Sequence, residues 1–137
     1  VRTFASVAKN LSMDHVLIVH GFDGLDEITI TDSTYIAELK DNTISEYEIS
    51  PKDFGLSLGT LPEISASSPE DSLQLIREAF SGDKSAVQDM IALNAGAALY
   101  LAKKVDSIAS GVQLSFELMN NGMAADKLAS YVRVSNS

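Results

Sequence analysis

Val16-Leu17-Ile18-Val19-His20-Gly21-Phe22-Asp23-Gly24-Leu25-Asp26-Glu27 carries the decisive reading of this 137-residue chain. An unbroken apolar run closed by a glycine turn reads as a strand buried on both faces of a parallel sheet, since a strand with one wet face alternates apolar and polar positions. Ligands of such sheets sit beyond the carboxyl ends of the strands, so the acidic loop lies where chemistry is expected. In an extended strand Asp26 and Glu27 would face opposite ways. Gly21 and Gly24 can adopt positive φ at little steric cost, which allows both carboxylates to turn towards one site. Such a pair suits Mg²⁺, which takes one or two carboxylates together with water and substrate phosphates. The plainer reading of the same residues is a solvated turn.

Two neighbours in the loop are assigned structural roles. Asp23, between glycines, is expected to bond the backbone of the turn. His20 ends the strand with no partner in the sequence, and His15 sits at the strand's other end, so His20 is read as a structural hydrogen-bonding residue rather than a ligand or proton carrier.

Outward from the loop, Val1, Phe4, Val7, Ala8 and Leu11 form a helical apolar stripe that is already present at the first residue, as in a helix entered partway along. Downstream, Tyr35 to Leu39 and Ile44 to Ile49 are β-prone runs joined by Lys40-Asp41-Asn42-Thr43. Asp and Asn tolerate the left-handed conformations of tight turns, so an antiparallel hairpin is predicted and the sheet is mixed. Residues Ser50 to Ser68 show neither helical nor strand period and read as a long connection, either pinned to the surface or functional.

The remainder reads as helix. Ser68 caps a helix with Pro69 in its first turn and Asp71 three residues after the cap, and the stripe Leu73, Ile76 and Phe80 runs to a stop at Gly82. Further helices are predicted over about Lys84 to Lys104, Ser107 to Asn121 and Ala124 to Val132. Asn94 falls on the apolar stripe of Val87, Met90, Ile91, Ala97, Ala98 and Leu101. A buried amide without partners costs about 1–3 kcal/mol, so it is expected to tie its helix to a neighbouring backbone. Ala95, Gly96, Ala97 and Ala98 signal close helix packing. Met90, Tyr100, Phe116, Met119 and Tyr131 recur at helical spacing and are assigned to the core.

Three motifs, taken together, resemble the anthranilate phosphoribosyltransferases. His20-Gly21-x-Asp23-Gly24-Leu25-Asp26-Glu27 followed by Ile28-Thr29-Ile30-Thr31 is similar to that family's second magnesium loop. Tyr47-Glu48-Ile49-Ser50-Pro51-Lys52-Asp53-Phe54-Gly55-Leu56 comes next. Leu93-Asn94-Ala95-Gly96-Ala97-Ala98-Leu99-Tyr100 and Ala109-Ser110-Gly111-Val112 complete the order and spacing, so the resemblance covers essentially the whole chain. It implies an α/β fold in which residues 1–137 form the C-terminal part of a larger domain: a mixed, mostly parallel sheet segment with a β-hairpin, then a helical cluster. It also implies that Asp26 and Glu27 bind Mg²⁺ bridging enzyme and pyrophosphate, and that the long connection is pinned.

In that family anthranilate is joined to the ribose of phosphoribosyl pyrophosphate, with release of pyrophosphate, in tryptophan biosynthesis. The family's glycine-rich phosphate loop, its anthranilate contacts and the N-terminal helical domain that forms its homodimer lie upstream of the matched region, so this chain alone is expected to be inactive. Two other readings share these residues: a fragment of a relative resembling pyrimidine nucleoside phosphorylase, and a non-catalytic acidic binding module.

Composition bounds the partners. A formal net charge of −9, from 10 basic and 19 acidic residues, argues against nucleic acid and anionic membrane surfaces. Cysteine is absent, which excludes disulfides and thiol chemistry. No apolar stretch reaches membrane-spanning length, and the expected location is cytoplasmic. No nucleophile elbow, Ser-His-Asp arrangement or zinc spacing occurs.

Overall fold

The computed structural model describes residues 1–136. Helix α1 (Arg2–Asn10) leads into strand β1 (His15–Gly21), the acidic loop, and the hairpin of β2 (Thr34–Lys40) and β3 (Thr43–Ile49). Helices α2 (Leu61–Ile64), α3 (Pro69–Phe80), α4 (Ala86–Leu101), α5 (Ile108–Asn120) and α6 (Met123–Ser135) follow. The expected α/β organisation, with a hairpin and a C-terminal helical cluster, is present.

Strand direction differs from the expectation for β1. The sheet order is β1-β2-β3, and β1 runs antiparallel to β2, with Val19 opposite Ile36 and Gly21 opposite Thr34. The connection from Phe22 to Ser33 holds no helix, and without a crossover a chain cannot return parallel to the strand it left. An apolar run reports burial of two faces; it says nothing of the neighbour's direction. Val16 to Val19 are half-buried, and the other edge of β1 has no strand partner among the described residues.

The hairpin matches its prediction. Asp41 and Asn42 have φ of 48° and 60°, the left-handed pair that a two-residue turn between twisted strands requires. Central strand β2 supplies the sheet's deepest residues, with Ile36 and Leu39 essentially inaccessible beside Ile30 and Leu93. Glu38 is also buried there, where its carboxylate accepts hydrogen bonds from Tyr100 Oη at 2.8 Å and Tyr47 Oη at 2.9 Å, and bonds His15 Nε2 at 2.7 Å.

Helix α1 lies against the sheet through Ala5 and Ala8. Of the apolar stripe, Ala8 is buried, whereas Phe4 is 69%, Val7 49% and Leu11 71% exposed in this chain. Small alanines permit the close approach; the bulky stripe is left over. Tyr131, assigned to the core, is likewise 69% exposed on α6, whereas Met119 is buried and Met90, Phe116 and Tyr100 pack partly against the core.

The connection from Ser50 to Ser68 contains a 3-10 turn at Pro51–Phe54 and the single helical turn of α2, neither long enough to show a period. Each is closed by a carboxylate on the amide three residues back: Asp53 Oδ2 accepts from Ser50 N at 2.7 Å, and Glu63 Oε2 from Thr60 N at 2.7 Å. Between them Gly59 N donates to Ile30 O at 3.0 Å. The segment is therefore pinned, as the resemblance implied.

Helices α3, α4 and α5 start where serine can accept an otherwise orphaned amide, from Asp71, Gln88 and Ser110 to Ser68, Ser85 and Ser107, each at 3.1 Å. At the α4–α5 crossing the backbones touch. A Cβ at Gly96 would lie 2.6 Å from Val112 N, and one at Gly111 would lie 2.3 Å from Gly96 O. The glycine in each of two motifs is thus one contact, and it holds α4 against α5 beside the core of Ala92, Leu93, Ala97, Ile108 and Val112. No helix among the described residues is long and apolar enough to cross a membrane.

Candidate functional site

The acidic loop leaves β1 at Gly21 and is closed at its base by Gly21 N to Leu25 O at 2.8 Å and Phe22 N to Ser33 O at 2.9 Å. Its two glycines serve different needs. Gly24 has φ of +96°, which only glycine adopts without strain. Gly21 leaves room for Asp23: a Cβ there would lie 2.5 Å from Asp23 Oδ1 and would push that carboxylate off its bonds.

Asp23 has the structural role expected of it, extended beyond the turn. Oδ1 accepts from Leu25 N at 3.0 Å, while Oδ2 accepts from Thr29 Oγ1 at 2.5 Å and from Thr31 Oγ1. Burial pushes this carboxyl up, but the hydroxyl and amide donors outweigh it and hold the group below its ordinary value. Thr29 N donates to Thr34 Oγ1 at 3.0 Å, and residues 28–30 are buried. The chain therefore enters the core immediately after Glu27.

Asn94 of α4 takes hold at that point. Its Oδ1 accepts from Ile28 N at 3.0 Å, and its Nδ2 donates to Ile28 O at 2.8 Å and Met90 O at 3.0 Å. The predicted tie between helix and neighbouring backbone is present, and the backbone it grips is the residue next to Glu27.

Between these fixed points, Asp26 and Glu27 are exposed. Neither carboxylate accepts a hydrogen bond or forms an ion pair with the described residues. Glu27 borders a groove of about 480 Å³ between the loop and helices α3 and α4, with Asn94, Met90 and Ile76 among its walls. His20 does not take its assigned role: it is exposed and its side chain has no hydrogen-bond partner among the described residues. The partnered histidine is His15, at the far end of β1. Sequence alone gave no sign of this, because Glu38, Tyr47 and Tyr100 come from three other elements.

The donor set is compatible with magnesium. Among the described residues no three His, Asp or Glu side chains form a ready-made metal cage, and Mg²⁺ does not need one, since water and phosphate oxygens complete its octahedron. The pair supplies hard oxygens that no protein donor has claimed.

With this geometry, comparison with known proteins places the chain. Residues 1–125 match the model of the glycosyl transferase family, a/b domain, and the chain belongs to that family. A curated relative, the anthranilate phosphoribosyltransferase of Vesicomyosocius okutanii, is 43% identical over 135 residues, which is 98% of this chain and 40% of that protein. Among solved structures, anthranilate phosphoribosyltransferase from Thermus thermophilus is 30% identical with a TM-score of 0.85, covering 97% of this chain and 39% of that one. The Saccharomyces cerevisiae enzyme in complex with PRPP and Mg shares the fold at 23% identity and a TM-score of 0.82, over 98% of this chain and 39% of its own. The chain thus spans about 40% of the length of the curated relatives it matches.

Proposed function

We propose that this chain is the C-terminal part of the α/β domain of an anthranilate phosphoribosyltransferase, residues 1–137 serving as one unit of it, and that Asp26 and Glu27 are its magnesium ligands. The likeness to anthranilate phosphoribosyltransferases along nearly the whole chain carries the reading of the activity. The unclaimed carboxylate pair between two fixed backbone points carries the reading of the site. The substrates are anthranilate and phosphoribosyl pyrophosphate, and the full enzyme is a homodimer through an N-terminal helical domain outside these residues.

In the reaction the anthranilate amino nitrogen bonds to the anomeric carbon of the ribose as the bond from that carbon to pyrophosphate breaks. Magnesium, when bound, offsets the negative charge that develops on the departing pyrophosphate. The chain's own contribution is to hold Asp26 and Glu27, adjacent and exposed in the loop that follows β1, free of competing donors. Asp23 is assigned to the structure of the loop instead, since each of its oxygens already accepts a hydrogen bond from within it.

Asp26→Asn and Glu27→Gln in the full-length enzyme test the reading, since they keep shape and delete charge. Turnover should fall roughly a hundredfold, about 3 kcal/mol of lost transition-state stabilisation, and the magnesium concentration for half-maximal rate should rise. Asp32→Asn, at an exposed turn position, should do neither. Magnesium titrations of both site variants that overlay wild type would remove the metal role. Separately, the 137-residue chain by itself should give no turnover even at high magnesium; clear activity would overturn the assignment as one part of a larger catalyst.

A further inference from the structure

We infer that Asn94 is a positioning residue for the Asp26–Glu27 pair, a role that rests on the magnesium site proposed above. Adjacent carboxylates repel each other, and in this loop neither has a partner to oppose that repulsion. Their directions are therefore set by the backbone on either side. On the amino side, Asp23 holds Leu25 N. On the carboxyl side both backbone polar groups of Ile28 are held by one amide, that of Asn94.

The orientation of that amide is fixed by its own bonds. Both N–H groups of Nδ2 are used, one on Ile28 O and one on Met90 O a turn earlier in α4. Reversing the amide would turn an oxygen towards two carbonyls and a nitrogen towards an N–H, losing all three bonds. Asn94 is in turn carried by a helix whose backbone touches α5 at Gly96, two residues further on. The grip on Ile28 is thus referenced to a rigid helix pair rather than to the loop itself, 66 residues away in sequence. Groups that orient metal ligands from behind typically matter 10- to 100-fold for metal affinity, on the order of what their loss would show here.

Magnesium titration of turnover in the full-length enzyme, paired with Mn²⁺ binding followed by electron paramagnetic resonance, tests this role. Asn94→Ala should raise the half-saturating concentration of either ion about tenfold, while saturating magnesium restores most of kcat. Gln88→Ala is the comparison, because Gln88 also ties α4 to a neighbouring backbone, bonding Ala79 O at 2.9 Å and Asn120 Oδ1 at 3.2 Å, yet makes no hydrogen bond to the loop. It should lose stability and keep the wild-type metal dependence. If Asn94→Ala does not fold, Asn94→Ser, whose hydroxyl can still bond Met90 O while releasing Ile28, carries the same expectation. Wild-type metal dependence in the folded Asn94 variant, or an equal rise in Gln88→Ala, overturns the role of Asn94. Its failure is distinct from that of the site: if Asp26→Asn and Glu27→Gln also leave metal dependence unchanged, the magnesium reading itself falls.

Discussion

Glu38 Oε1 lies 2.7 Å from His15 Nε2, joining the middle of β2 to the first residue of β1 inside the core. Burial pushes the Glu38 carboxyl up, but hydrogen bonds from His15, Tyr100 and Tyr47 outweigh it and hold the group below its ordinary 4.5. A carboxyl depressed in the folded state contributes stability above its unfolded value and loses it as pH falls through the folded one. Urea unfolding between about pH 6 and pH 3 should therefore show stability declining with acid. Glu38→Gln should be about 1–3 kcal/mol less stable near neutrality and less sensitive to acid. An unaltered acid slope in that variant would show that Glu38 is not the group responsible.

Asp89 shows the opposite sign. It is 6% exposed at the start of α4, and its Oδ1 has no hydrogen-bond partner. Burial raises its carboxyl above the ordinary 3.8, with Lys84 opposing. Such a group costs stability as pH rises from the unfolded value through the folded one, and the cost persists above that. Asp89→Asn should be more stable than wild type at neutral pH, on the order of 1 kcal/mol, with the advantage shrinking in acid. Calorimetry at two pH values reads the difference directly, and a destabilised variant at neutral pH would contradict it.

The Gly96–Gly111 contact leaves no room for a methyl group. Gly111→Ala should destabilise the chain by about 3 kcal/mol or prevent folding. Gln113→Ala, exposed on the same helix, should stay within about 0.5 kcal/mol of wild type by the same denaturation measurement.

Within the acidic loop, stability and ligand roles should separate. Asp23→Ala strands the Thr29 and Thr31 hydroxyls and the Leu25 amide, and should cost about 1–3 kcal/mol. Asp26→Asn and Glu27→Gln remove only exposed, unbonded charge, and their melting midpoints should match wild type or rise slightly. Equal losses at all three positions would mean that the pair helps to hold the loop.

Much of this architecture could be read from local chemistry. The Ser68 cap, the Asp41-Asn42 turn and the acidic loop are specified by neighbours within a few residues, and each appears where its residues predicted. What depended on distant partners did not. The direction of β1 was hidden because apolar periodicity does not encode strand polarity, and which residues of α1 meet the sheet, Ala5 and Ala8 rather than Phe4, Val7 and Leu11, was not legible in its stripe. At the site, the roles of Asp23 and Asn94 as ties were legible from residue type and position. The two threonines that saturate Asp23, and Ile28 as the target of Asn94, were not, because only folding brings them together.

Since main-chain atoms of α4 and α5 meet directly at Gly96 and Gly111, with Val112 Cγ2 the one side-chain atom among the nearest neighbours, the thickness of that layer is set chiefly by a peptide rather than by a side chain that could change rotamer. Asn94 sits two positions from this fulcrum, and Ile28 hangs from Asn94. A methyl group added on α5, far along the chain from the acidic loop, would act as a shim beneath the whole assembly, tilting α4 and carrying the suspended Ile28 with it.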